Sequence, residues 1–234
     1  METNYNPWPI GKVPKELQRP ELDILKQKGY LFYDPREFIE IFERRLAKFT
    51  GSPYAVVTDC CTHAMELTLR YQFEKGIIKP GQTVVIPDNT YVSCYWMLKN
   101  LGFQVFLMPM QWEGEYHIGG TKTIDAAVLW QKGMYKGGFQ CVSFQIKKRI
   151  PIGRGGLILT DDKEAYDWLK LAVYDGRDMS IPYDKPGHVK MQGWHYYMTP
   201  EDAARGLILM DAIKEEGFTA TYKNYPSITQ MLNL

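Results

Sequence analysis

Short apolar runs, each closed by a turn and followed by a helical pattern, constrain this chain most. Tyr54-Ala55-Val56-Val57-Thr58 leads into Asp59-Cys60-Cys61-Thr62-His63 and then a helical stretch from about Thr62 to Glu74. Gly81-Gln82-Thr83-Val84-Val85-Ile86-Pro87 reads as a turn and a buried strand, and Thr90-Tyr91-Val92-Ser93 opens the next helix. Strands that alternate with helices bury both their faces between helical layers, so the pattern predicts an α/β fold around a central sheet. Further strands are expected over 104–108, 123–130, 140–144 and 156–160. Asp161 is expected to cap a helix over Lys163–Val173, and Thr199-Pro200 to start a last helix carrying Ala203, Leu207 and Met210.

An earlier helix is marked at both ends. Asp34 stands at its cap with Pro35 next, Glu37 can reach back as in a capping box, and Gly51 stops it. Phe38, Ile41, Phe42 and Phe49 share one face of it. Before it, residues 1–33 are rich in proline and aromatics, with one interrupted helix around Glu16–Lys28. The segment Asp175–Gln192 has Pro182, Pro186 and Gly187 and no periodicity, and its length suits a functional loop.

The bulk numbers narrow the classes. A formal charge of +1 over 234 residues gives no electrostatic reason to expect nucleic acid or a membrane surface. The first residues carry no basic-then-apolar signal and no apolar run reaches spanning length, so the expected location is cytoplasmic. Cys60, Cys61, Cys94 and Cys141 read as thiols in a reducing compartment, and neither they nor His63, His117, His188 and His195 are spaced as a metal set.

The chemistry-bearing residues concentrate between Asp125 and Gly156. Asp125 sits in the apolar run TIDAAVLW, where a buried acid needs a partner, although a strand-end acid making a turn contact reads the same way. Ser143-Phe144 follows, then Lys147-Lys148, then Gly153-Arg154-Gly155-Gly156. The last lacks the lysine of a Walker loop. The Asp59–His63 turn offers free amides and a helix dipole for an anion, or simply a helix capped by Thr62. By residue type alone Tyr91 reads as a core aromatic.

The order and spacing of these pieces resemble the DegT/DnrJ/EryC1/StrS family of sugar aminotransferases, which use pyridoxal phosphate. Their EDaA strand, S-F-x-x-x-K segment and G-x-G-G turn fall on Asp125, on Ser143-Phe144-Gln145-Ile146-Lys147-Lys148 and on Gly153-Arg154-Gly155-Gly156. Further echoes are Phe42-Glu43…Leu46-Ala47…Gly51 and Gly193-Trp194-His195…Met198-Thr199…Ala203-Ala204. The resemblance implies a three-layer large domain of the fold-type-I class, with a reduced central sheet and little or no C-terminal small domain. The stretch from Met108 to Asp125 is too short for the strand and helices found there in the family, so the sheet is expected to be narrower. The implied division is an N-terminal arm (1–33), a cofactor-binding α/β domain (34–198), and a helix and tail (199–234) left from the small domain.

The resemblance also implies roles. Lys148 would bond covalently to the cofactor aldehyde and then move the proton; Lys147 competes, since neighbours on a strand point to opposite faces. Asp125 would face the pyridine nitrogen. Thr62, the His63 amide and Ser143 would hold the phosphate, and Tyr91 would lie on the ring. His195, from the partner subunit of a homodimer, would reach the neighbour's cofactor, and the dimer interface would cover what the small domain leaves open. The substrates would be a nucleotide-linked keto-sugar and an amino-acid donor, glutamate. A lysine at 148 argues against the family's dehydratases, which carry histidine there. Trp130, Tyr135, Tyr183 and Trp194 are candidates to stack on a base or sugar. The chain departs from the family pattern at Cys60-Cys61, Val128, Arg154 and Tyr197. Those departures leave two other readings: an inactive binding or regulatory protein on a reduced version of the fold, and a generic nucleotide-binding α/β domain using the Asp59–Thr62 turn.

Overall fold

The computed structural model describes residues 14–182 and 184–234, so Tyr183 and the first part of the N-terminal arm lie outside it. A 3₁₀ turn (Lys15–Leu17) and α1 (Glu21–Gln27) precede α2 (Glu37–Thr50). The first sheet strands and helices are β1 (Tyr54–Thr58), α3 (Cys61–Glu74), β2 (Thr83–Pro87), α4 (Val92–Asn100) and β3 (Gln104–Met108). Then come β4 (Tyr116–His117), β5 (Thr123–Asp125), β6 (Leu129–Trp130), β7 (Phe139–Ser143) and β8 (Gly156–Thr160). The chain continues through α5 (Lys163–Ala172), α6 (Pro200–Ala212), β9 (Gly217–Phe218), a 3₁₀ turn (Tyr222–Asn224) and α7 (Ile228–Leu232). Among the described residues no helix is long and apolar enough to cross a membrane.

Five strands pair in the order β1-β8-β7-β5-β4, and β2 and β3 form a parallel pair. Gly119, just past β4, exchanges two backbone hydrogen bonds with Val85 of β2, at 2.8 and 3.2 Å. Because β4 runs antiparallel to β5, this short segment joins the β2–β3 pair to the five-stranded sheet. The short Met108–Asp125 stretch thus places an antiparallel strand where the sequence implied a gap. Strands β1, β2, β3, β5 and β7 share one direction, with β8 and β4 opposed.

Strand side chains alternate between two cores, as the two-residue period requires. Val56, Cys141 and Ile158 face a core with α3 and α5, whereas Ala55, Val57, Val142, Leu157 and Leu159 face one with α2 and α6. Both faces are covered, which explains why the strands read as continuous apolar runs. In α6, Gly206 lies against the Phe42 ring so closely that a Cβ there would stand 2.3 Å from it. The Glu43 carboxylate joins these layers: it accepts the Val57 amide (3.1 Å) and pairs with Lys170 of α5 (2.7 Å). Burial pushes this carboxyl up more than Lys170 pulls it down, so the pair persists because breaking it strands a buried charge. Glu43→Ala is expected to cost about 3 kcal/mol, read by urea unfolding.

Several sequence expectations change in detail. The Glu37 carboxylate does reach back, to the amides of Tyr33 and Asp34 (both 2.9 Å), but α2 begins at Glu37, after a turn closed by the Glu37 amide on the Asp34 carbonyl (3.0 Å). Gly51 ends it with φ 78°. Cys60, not Thr62, caps α3 through its sulfur, and Asp162, not Asp161, caps α5. The expected 123–130 strand splits at Asp125, whose carboxylate takes the Ala127 amide (2.9 Å) and turns the chain away. Thr199 caps α6 as expected, but α6 is followed by α7.

Candidate active site

The carboxyl ends of β1, β2, β5 and β7 lie on one edge of the sheet, the edge where α/β folds bind ligands. A cavity of about 480 Å³ opens there, of the size that holds small-molecule ligands. Asp125 ends β5, Ser143 ends β7, and the turns after β1 and β2 bring Cys60, Cys61, Thr62 and Tyr91.

Asp125 is buried (6% exposed) and its environment is built for a carboxylate. Oδ2 accepts the Tyr116 hydroxyl (2.7 Å) and the Cys94 thiol (3.3 Å), and Oδ1 accepts the Ala127 amide. Thr90 hydrogen-bonds the same Tyr116 hydroxyl at 2.8 Å. Burial and then the Asp125 charge push the Tyr116 phenol and the Cys94 thiol well up, so both remain donors. A carboxylate offers about four lone-pair sites, and these donors use three. Tyr116 and Cys94 escaped sequence reasoning. Tyr116 sits on the short strand within the stretch where the sequence implied a gap, and no local signal tied it to Asp125.

Lys147 and Lys148 do not lie on a strand. They occupy a turn after Gln145, with the Lys148 amide donating to the Gln145 carbonyl (2.8 Å), so the argument from opposite strand faces does not separate them. Both line the cavity, Lys147 exposed and Lys148 half-buried. Burial holds the Lys148 amine below its usual range, against the opposing charge of Asp125. A depressed amine is available as a nucleophile at lower pH.

The Gly-Arg-Gly-Gly turn earns its composition from geometry. Gly153 and Gly155 have φ of 123° and 146°, conformations that favour glycine. A Cβ on Gly156 would stand 2.5 Å from the Cys60 carbonyl, so this strand start presses directly on the β1–α3 turn. Arg154 grips that turn, donating to the Asp59 carbonyl (3.1 Å) and carboxylate (2.8 Å).

Thr62 lines the cavity, its hydroxyl 2.9 Å from that of Ser93 at the start of α4, with Ser143 beside them. His63 is not among the lining residues. Its amide donates to Cys60 Sγ (3.4 Å), its ring stacks on Tyr196 (3.7 Å), and Nδ1 meets Asp59 at 2.6 Å. Burial lowers the imidazole's pKa, but the Asp59 and Cys60 contacts outweigh it and raise it to about 9. The folded state therefore binds this proton more tightly than the unfolded chain. The resulting stability is present below pH 6.5 and is lost as pH rises towards 9. Melting temperature is expected to fall over that window in the parent, and the slope is expected to flatten in Asp59→Asn.

Tyr91 is exposed (62%) at the cavity, so it is not the core aromatic that its residue type suggested. His195 lies outside the cavity lining, held by Asp175 through Nδ1 (2.9 Å). Trp130 is not exposed: it is buried against Phe49. Tyr135 donates to the Gly138 carbonyl, and Trp194 carries Arg70 over its ring at 4.8 Å. The aromatics at the cavity are instead Tyr91, Trp112, Tyr116 and Tyr225.

Comparison with known proteins places this geometry in context. The sequence pattern of the DegT/DnrJ/EryC1/StrS aminotransferase family matches residues 22–128 and 130–229. The spore coat polysaccharide biosynthesis protein SpsC of Bacillus subtilis (strain 168) is 25% identical over 253 residues, covering 87% of this chain and 63% of that protein. An E. coli GDP-4-keto-6-deoxy-D-mannose-3-dehydratase with bound hydrated PLP superposes with a TM-score of 0.64 at 18% identity, over 82% of this chain and 63% of the other. The sugar aminotransferase CalS13 from Micromonospora echinospora does so with a TM-score of 0.64 at 15% identity, over 82% and 64%. The chain thus spans just under two thirds of the length of these relatives, and the two structures share its fold.

Proposed function

Because the chain belongs to the DegT/DnrJ/EryC1/StrS aminotransferase family, we propose that it is a pyridoxal-phosphate-dependent aminotransferase acting on a nucleotide-linked keto-sugar, with glutamate as donor. One observation carries the reading: a single cavity brings together the buried Asp125 carboxylate, the depressed Lys148 amine, the exposed Tyr91 ring and the N-terminal turn of α3.

These residues fit the cofactor. Asp125 keeps one lone-pair site beyond its three donors, which suits a protonated ring nitrogen. Hydroxyls of Thr62 and Ser143 and the first amides of α3 suit a phosphate, whereas the His63 amide that the resemblance offered for it is taken by Cys60 Sγ. When bound, pyridoxal phosphate supplies an electron sink for charge developing on the substrate carbon next to nitrogen.

The chain's own groups do the rest. Asp125 holds the ring-nitrogen proton in place, and Tyr116 and Cys94 fix the carboxylate that does so. Lys148, whose amine burial holds below its usual range, would act through its neutral form as the nucleophile and afterwards move a proton at the reacting carbon. Tyr91 covers the ring face. The proposal includes a cytoplasmic homodimer, in which His195 of one copy approaches the cavity of the other. That placement is compatible with its exposed position outside its own subunit's cavity.

The test is spectroscopic. Added pyridoxal phosphate should give a visible absorption band of covalently held cofactor, and L-glutamate should then bleach it as its amino group is passed on. A band that never forms would favour the second reading, a binding protein without this chemistry, which the apolar Val128 at the cavity supports. A band that glutamate leaves unchanged would remove glutamate as the donor.

A further inference from the structure

The cavity has a wall that belongs to none of the strand–helix turns. After α6 the chain returns as β9, pairing with β6, and the Thr219 amide donates to the Val128 carbonyl (2.9 Å). The Tyr222 amide donates to the Trp112 carbonyl (3.1 Å), and Thr221 bridges Glu113. Asp88, at the end of β2, then clamps the segment. Its carbonyl accepts the Ile228 amide (2.9 Å), and its carboxylate accepts the Ser227 hydroxyl (2.5 Å) and the Thr229 amide (2.9 Å). Next to it, Asn89 donates to the Tyr225 carbonyl and accepts Trp112 Nε1, both at 2.9 Å. Ile228 is fully buried beneath. The segment is therefore latched to the same turn that carries Thr90 and Tyr91.

Most of what this segment presents to the cavity is polar. Thr219, Ala220, Asn224 and Tyr225 line the same cavity as Asp125 and Lys148. Asn224 spends its carbonyl oxygen on Thr221. Among the described residues, no group hydrogen-bonds the Tyr225 hydroxyl, while the ring is fixed against Trp112 at 5.6 Å. Burial, and then the charge of Asp125, push this phenol up to about 12, so it is a donor at neutral pH and lies within the field of Asp125. A fixed, unpaired donor facing a cavity is what a ligand contact requires.

We infer that Gly217–Thr229 is a strap forming the outer wall of the cofactor cavity, with Tyr225 donating its hydroxyl to bound pyridoxal phosphate. The inference rests on the proposed function. It also means that this chain closes part of its own site, which the sequence had left to a dimer interface.

Hydrogen exchange of the whole chain, with and without pyridoxal phosphate, tests the wall, and titration of the visible band tests the contact. In the parent, amides of 217–229 should exchange about tenfold more slowly with the cofactor bound. Tyr225→Phe keeps the packing on Trp112 and should weaken binding about fivefold, the scale of one hydrogen bond. In Asp88→Ala the strap should exchange faster even without cofactor. If the band forms but exchange in the strap does not change, the wall is overturned. If Tyr225→Phe binds as tightly as the parent, the contact is overturned. A parent that takes up no pyridoxal phosphate overturns the proposed function, and this inference with it.

Discussion

Lys148→Ala is expected to abolish covalent capture of pyridoxal phosphate and to lower transamination by roughly 10²–10⁴-fold through the lost proton transfer alone. The side chain is half-buried in a turn and makes no ion pair among the described residues, so its removal should leave the melting temperature near the parent's. Lys147→Ala is the necessary comparison, because both lysines line the cavity and differ mainly in burial. Burial of the Lys148 amine holds it below its usual range. Lys147→Ala should therefore retain most of the activity. Absorption titration and steady-state rates on the three proteins measure the difference. Loss of the band in Lys147→Ala with retention in Lys148→Ala would reverse the assignment.

Asp125→Asn should have the second largest effect. The amide keeps the size of the side chain, and its oxygen can still accept, either from Tyr116 and Cys94 or from the Ala127 amide. The negative charge that would hold a ring proton is lost. Removing one preorganised electrostatic group typically costs 10²–10³ in rate, and that is the expected loss in kcat here. Asp125→Ala is less informative, since it orphans three buried donors at a cost of about 1–3 kcal/mol each and would unfold the site as well as disarm it. Tyr116→Phe should lower the rate less than Asp125→Asn does, because Cys94 and Ala127 still orient the carboxylate. A rate in Asp125→Asn equal to the parent's would remove Asp125 from the chemistry.

The strand–turn–helix units were legible because their residues act locally. Tyr54–Thr58 alternates between two apolar cores, Glu37 reaches back over its own turn, and Thr199-Pro200 caps its helix. The resemblance set Asp125, Ser143 and Lys148 together, and the cavity does bring them together, because Asp125 and Ser143 end neighbouring strands on one sheet edge and Lys148 follows the second. What stayed hidden depends on pairings distant in sequence or on a contest between equivalent caps. Gly119 meets Val85 from 34 positions away, and nothing near either residue announces it. Cys60 supplies a capping sulfur where Thr62 offered a better hydroxyl, because Thr62 is turned towards Ser93. The strap was invisible for the same reason: Thr219–Ile228 has little periodicity, and its place is fixed by Asp88 and Asn89, well over a hundred residues earlier. Trp130, a stacking candidate by residue type, closes the apolar TIDAAVLW run, and β6 turns it under Phe49.

The most direct test of the central claim is to load the protein with pyridoxal phosphate, reduce it with borohydride, and locate the modified residue by peptide mass spectrometry. The account predicts stoichiometric pyridoxyl modification on Lys148, with Lys147 unmodified. Modification at Lys147, or substoichiometric labelling scattered over exposed lysines, would contradict it.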